Sequence, residues 1–584
     1  MDPNEPTHFN VLIAGTGLQE SVLAAALSKA GYSVLQLDDA PYYGTEHASL
    51  SLTELVDWAS RTSGVDASAA SLPPDLARIS NRFALSLYPV LLRAKGPGLD
   101  LLVRSKVASY LQFGLLAGVG LWQREGDTGK VVRVPASKAD VFNDATLSLV
   151  EKRRLTKLLL FAAGQDPLEE DKVLVADPNI TFVDYLKKGF SLSGTAADSL
   201  AYALALCSSP NDPVIPALQR LRTMIHAIGR YGPSPYLVGH YGGAGDLVGG
   251  FSRICAVWGG GQILGRPLLP LDLAPEVGQP VPTSQAPFMT HENPPPPPAA
   301  PPVSSSDNPD GASTRPLGIP VVLEEGQPAT VFTGDWVVSS PHLFSSLFPS
   351  HPLPAHLALG APRTAHLIAV LREPIPFPPP PQRDDLDAEA DDEPDSKLFV
   401  FPPGAVESAG QGVEVGTCTA LQVGKGTMSC PEGYHILYLT APLLSPLPSE
   451  ATASALSILQ PYLDALLALA SSAVDAPSAA PVYSAAYFSP PPRSGAATPD
   501  PASAASPLPA NFLLTPSLTP STPSSTAPAG IPAARTSLLV ETLDLVPAAV
   551  EDVFWRIVGE QGREEGVTFF AREEVEGEDE DREE

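Results

Sequence analysis

Residues 11–27, VLIAGTGLQESVLAAAL, constrain the fold more than any other stretch of this 584-residue chain. The apolar run Phe9 to Ala14 reads as a strand, and it ends in a Gly-x-Gly turn. A helix is expected over about 18–30, closed by Gly31, and SVLQLD at 33–38 reads as a second strand. This is a βαβ unit, with parallel strands and a right-handed crossover. In a dinucleotide-binding loop the first glycine makes the tight turn and the second lets backbone approach the pyrophosphate. The third lets helix pack on strand, and an acidic residue on the second strand takes a ribose hydroxyl. Gly15 and Gly17 fill the first two places, Glu20 stands in the third, and Asp38 lies near the ribose position.

Glu20 changes what such a loop can hold. A carboxylate in a helix's first turn is favoured by the helix dipole. The free amides there are also the groups that would grip an anion. Glu20 therefore competes with a pyrophosphate for charge and space. The motif leaves two readings open: a working flavin site, or a Rossmann-like scaffold whose site is emptied. The next loop, Asp38-Asp39-Ala40-Pro41-Tyr42-Tyr43-Gly44, sets two tyrosines at the carboxyl end of the sheet, where open α/β folds place their working surface. Exposed tyrosines make good interface anchors, and the plain alternative is that they pack under the loop.

Beyond this unit, Leu155, Leu158, Leu159 and Ala162, and then Leu200, Ala203, Leu204 and Cys207, recur at helical spacing. They predict an inserted all-helical domain over 136–228. A glycine-dense passage at 229–267 leads back to strands at PVVLEE, ATVFTGDWVVSS, TAHLIAVL, KLFVF and GYHILYLT. Leu459, Tyr462, Leu463 and Leu466, and later Val550, Val553, Phe554 and Ile557, read as amphipathic helices, with Pro547 suited to the first turn of the last one. The expected class is α/β: a Rossmann-like FAD/NAD(P)-binding type domain with mixed sheets (1–135 and 229–487), plus the helical insert. Nearly half of the 66 prolines fall in 275–316, 374–396 and 488–535, which together with the acidic tail 573–584 read as disordered. Residues 536–572 form a C-terminal helical segment.

Other classes are excluded or disfavoured. A net charge of −29 argues against a nucleic-acid partner, whose phosphates need a basic face. The four cysteines match no zinc pattern or disulfide framework, and no metal site is expected. GKGT at 424–427 lacks the upstream glycine of a P-loop, and neither H-E-x-x-H nor G-x-S-x-G occurs. The opening MDPNEPTHFN resembles no secretory signal, and no apolar run reaches about 18 residues, so a cytoplasmic protein is expected.

Through GTGLQES, DDAPYYGTEHASL and RYGPSPYLVGHYGGAGDLVGGFSRICAVWGG, the chain resembles the family that joins Rab GDP-dissociation inhibitors to Rab escort proteins. DVFNDATLSLVEKRRLTKLLLF (141–161), TMSCPEGYHILYLT (427–440) and AAYFSP (485–490) are similar to stretches of the escort branch, the component A of Rab geranylgeranyltransferase. The resemblance implies a fold related to flavin monooxygenases with no working cofactor, and no catalytic residues. It implies binding of GDP-bound Rab GTPases, unprenylated and prenylated, their presentation to the geranylgeranyltransferase heterodimer, shelter of the geranylgeranyl lipid by the helical domain, and transient delivery to membranes. A GDP-dissociation inhibitor without a transferase role and an FAD-dependent oxidoreductase are the alternatives.

By the same resemblance Tyr43, Asp246 and Arg253 belong to a Rab-binding platform, while Gly15, Gly17 and Glu20 form a degenerate dinucleotide loop. The sequence departs from the family's pattern in three places. Tyr43-Gly44-Thr45 replaces a double glycine, Leu247-Val248-Gly249 replaces L-P-Q, and Gln262 stands where a tyrosine is usual. For Asp246 and Arg253 the plain alternative is an intramolecular ion pair.

Overall fold

The computed structural model describes residues 6–125, 128–135, 148–164, 171–177, 179–192, 194–273, 315–349, 351, 363–379, 395–407, 413–445, 453–473, 480–489, 508–516, 518 and 538–570. The chain opens as β1 (His8–Ala14), α1 (Leu18–Lys29) and β2 (Val34–Leu37). β1 lies parallel to β2 on one side and to Thr330–Ser339 on the other. Gly261–Ile263 extends the sheet beyond β2, and Leu317–Val321 adds an antiparallel edge to Thr330–Ser339. This is the mixed sheet of a Rossmann-like α/β fold.

The other end of Thr330–Ser339 carries one more parallel strand, Phe512–Leu514. It falls inside 488–535, expected as a linker, and corrects that expectation at this point. The apolar NFLL run pairs with an exposed sheet edge, and burial of Phe512 and Leu513 favours its ordering. Most of the other residues of 488–535, most of 275–316 and 374–396, and the tail 573–584 lie outside the described residues.

α1 is buried from Leu18 to Ser28, which is why its sequence shows no polar face. It packs among the sheet, the helix Ala244–Val257 and the C-terminal helix Leu538–Glu564. That last helix starts nine residues before Pro547, so the proline sits inside it and not in its first turn. The missing N–H leaves the Leu543 carbonyl without its helical donor. At this point Gly98 comes so close that an added methyl would lie 2.6 Å from the Leu543 oxygen. The Gly98 amide donates to Asp544 at 2.9 Å. Asp544 also pairs with buried Arg93 at 3.1 Å, and neighbouring Glu541 accepts from Arg220 at 3.0 Å. The C-terminal helix is thereby tied both to the large domain and to the helical segment.

An eight-stranded second sheet runs from Asp66–Ala67 through Thr364–Leu371 and His435–Pro442 to Thr128–Arg133. One face of it shares an apolar core with the helices Leu149–Ala163, Phe182–Phe190 and Val214–Ala227. Ser148 and Glu151 form a capping box at the first of these, and Leu155, Leu158 and Ala162 are its buried face. The spacing at Leu200–Cys207 belongs instead to one π-helical turn, Ser199–Leu204, with Cys207 beyond its end.

Candidate functional site

The glycine loop is built as its sequence requires. Gly15 has φ +113°, open to glycine at little cost, and its amide donates to Leu37 at 2.7 Å, which closes the turn between β1 and β2. What occupies the loop is the protein itself. The Glu20 carboxyl folds back over Gly17, where an added methyl would stand 2.5 Å from Oε2. Oε1 accepts the Thr515 hydroxyl at 2.6 Å. On the other side of the turn Ser340 lies 2.8 Å from where a Gly15 side chain would begin.

Burial pushes the Glu20 carboxyl up to about 7, against the lowering effect of the Thr515 hydrogen bond. Asp38, in the ribose position, is also spoken for. It accepts from the Thr16 amide (2.8 Å) and hydroxyl (2.6 Å), the Ala40 amide (2.9 Å) and the Thr45 hydroxyl (3.0 Å). These residues do not fit a dinucleotide: the pyrophosphate position holds a carboxyl group, and the ribose acceptor already has four donors.

The rim of the same sheet end is open. Tyr43 is 39% exposed, and its hydroxyl donates to Gln262 at 3.1 Å. The Gln262 amide donates in turn to the Ser252 carbonyl (3.1 Å) and to Gln36 (3.2 Å). Gln262 thus joins the tyrosine loop to the helix Ala244–Val257, one residue from Arg253.

Arg253 is exposed, and its guanidinium lies 4.4 Å from the centre of the Tyr110 ring. Asp246, in the first turn of the same helix, is half-buried, and burial pushes it up to about 6. Seven residues apart, Asp246 and Arg253 share one helix face. No ion pair joins them among the described residues; Arg253 faces an aromatic ring instead.

Sequence reasoning missed Thr515, Ser340 and Tyr110. Thr515 follows directly on NFLL, whose apolar run between proline-rich stretches was its one legible signal. Nothing in the sequence pattern marks Ser340 or Tyr110. Among the described residues no cluster of His, Cys, Asp or Glu could hold a metal ion, and no helix is long and apolar enough to cross a membrane.

Fold and site together define a class: a dinucleotide-binding-type α/β protein whose own side chains fill the cofactor loop and whose open surface is the loop's rim. Residues 4–278 match the family model described as GDP dissociation inhibitor. It is 32% identical over 283 residues to Rab proteins geranylgeranyltransferase component A of Drosophila melanogaster, covering 45% of this chain and 53% of that one. It is also 32% identical over 263 residues to Rab GDP dissociation inhibitor beta of Canis lupus familiaris, covering 44% and 56%. The chain spans about half the length of these curated relatives. In fold it is similar to the crystal structure of Rab GDI from Plasmodium falciparum, with a TM-score of 0.58 over 95% of this chain and 98% of that one, at 18% identity.

Proposed function

We propose that the protein is a non-catalytic, cytoplasmic escort factor. It binds GDP-bound Rab GTPases, presents them to Rab geranylgeranyltransferase, and delivers the prenylated product to membranes. The observation that carries this reading is the filled cofactor loop beneath an open rim: redox chemistry has no place to bind, while Tyr43, Gln262 and Arg253 offer a connected surface. Tyr43 is the anchor of that surface. Arg253 supplies a planar donor for carboxylates or carbonyls, held over Tyr110. Asp246 accepts a polar group of the GTPase. The family match and the two relatives' names support binding to a Rab protein, and the component A relative supports the transferase role.

On this reading the helical segment lies on the prenyl and transferase side. Leu149, Val150 and Leu160 are exposed apolar side chains on its first helix. Sheltering a prenyl chain is worth about 0.8 kcal/mol for each buried methylene, so a modest apolar seam suffices.

The test is reconstitution. The purified protein should restore geranylgeranylation of an unmodified Rab by the purified transferase heterodimer. Binding of prenylated Rab with no product would leave a GDP-dissociation inhibitor without transferase role. No association with any Rab would refute both, and a yellow preparation with stoichiometric flavin would favour an oxidoreductase.

A further inference from the structure

The loop that carries Tyr43 also borders a cleft of about 420 Å³. Its other boundaries are α2 (Leu52–Arg61), the loop after it, and Tyr487–Ser489 at the end of the strand Tyr483–Ser489. The volume is that of a small-molecule site. Tyr42 and Trp58 line it half-buried, and the buried rings of Tyr88 and Tyr487 back it. These rings are fixed. Trp58 meets Tyr487 edge-on with centroids 4.9 Å apart, and Tyr487 stacks on buried His366 at 5.3 Å. The Tyr487 hydroxyl donates to the Leu87 carbonyl.

The charge of the cleft is one-sided. Asp39, Glu46, Glu54 and Asp57 line it against a single guanidinium, Arg61. Glu54 is committed to the cap of α2, accepting the Ser51 amide at 2.8 Å. Among the described residues the carboxylates of Asp39 and Asp57 have no hydrogen-bond or ion-pair partner. The acidic field reaches one of the rings: Tyr42 is pushed up to about 12, first by burial and then by Asp38, Asp39 and Glu54.

We propose that this cleft binds an alkylguanidinium or alkylammonium cation, with the charge among Asp39, Glu46 and Asp57 and the apolar stem against Trp58 and Tyr42. Aromatic faces attract such cations electrostatically, and the carboxylates favour the same sign. An anion meets four carboxylates, and a neutral apolar ligand would desolvate them without return. Two sources share this chemistry: a free small cation, and an arginine or lysine side chain of a docked protein.

The experiment uses the full chain without any GTPase, so its failure leaves the escort reading untouched. Agmatine is titrated by calorimetry and by tryptophan fluorescence. Saturable binding is expected, and it should weaken severalfold on raising ionic strength from about 0.05 to about 0.3 M. Asp39 and Asp57 are exposed, so the double variant Asp39→Asn, Asp57→Asn should fold normally and bind about tenfold more weakly, as expected for loss of two neighbouring charges. Trp58→Phe should abolish the fluorescence change while calorimetric binding persists. An acetylated, amidated tripeptide with a central arginine separates the sources: competition at equal affinity assigns a protein side chain, and binding of agmatine alone assigns a free cation. No binding of either probe at about 10 mM, an affinity too weak for a built site, or unchanged affinity in the double variant, would overturn the proposal.

Discussion

Glu20→Gln tests the filled loop most directly. Burial lifts this carboxyl from an ordinary value of 4.5 to about 7. Every tenfold change in proton affinity corresponds to about 1.4 kcal/mol, so ionised Glu20 costs the folded state on the order of 3 kcal/mol. The sign follows from protonation. Below pH 4.5 the group is protonated in both states and costs nothing. Between 4.5 and 7 the unfolded chain ionises while the folded protein keeps its proton, so stability falls; above 7 the full penalty is present.

When protonated, Glu20 donates to the Thr515 oxygen, whose own hydrogen turns to the Ser339 carbonyl at 3.3 Å. Glutamine keeps the volume and an oxygen for Thr515, and carries no charge. In urea unfolding at about pH 8 the variant should be more stable than the parent by about 2–3 kcal/mol. The difference should fade as pH falls below 4.5, where the parent carboxyl is protonated in both states. Equal stability in the alkaline measurement, or a gain that does not change with pH, would show that the buried carboxyl carries no such penalty.

Arg93→Met should cost about 3–5 kcal/mol in the same unfolding assay, because it removes the cationic partner of the largely buried Asp544 carboxylate and leaves Glu541 with Arg220 alone. Tyr43→Ala and Arg253→Ala should each weaken Rab binding about tenfold or more, as loss of an interface anchor does, with unfolding midpoints unchanged; calorimetry with a GDP-bound Rab checks this, and parental affinity removes the residue from the platform. Glu20→Gly should not confer tight flavin binding, since Ser340, Thr515 and the four donors on Asp38 stay in place; a flavin absorbance band in dialysed protein would contradict it.

The sequence made the βαβ opening legible because three signals agreed there: an apolar run, a glycine turn and a second apolar run at 33–38 after the helix closed by Gly31. The competition of Glu20 with an anion was equally readable, since it depends only on a carboxylate in a helix's first turn. What completes the loop was not. Thr515 reaches Glu20 through a strand pairing 495 residues away in sequence, and no local pattern encodes such a partner. Pro547 misled because its preference for a first turn is a statistical tendency, which the packing of Gly98 and Arg93 against the surrounding helix overrides. Gln262 bonds the Tyr43 hydroxyl, a contact visible only once β2 and Gly261–Ile263 are side by side.

The strand Phe512–Leu514 also orders events during biosynthesis. Glu20 leaves the ribosome 495 residues ahead of its hydroxyl partner. At about 5–20 residues per second, translation separates the two by roughly 25 to 100 s. During that interval the nascent βαβ unit lacks its lid, and Glu20 is hydrated and ionised. Arrival of Thr515 therefore does more than add a strand: it brings Glu20 the hydroxyl that offsets part of the cost of burying its carboxyl, so that completion of the glycine loop waits on a distant part of the chain.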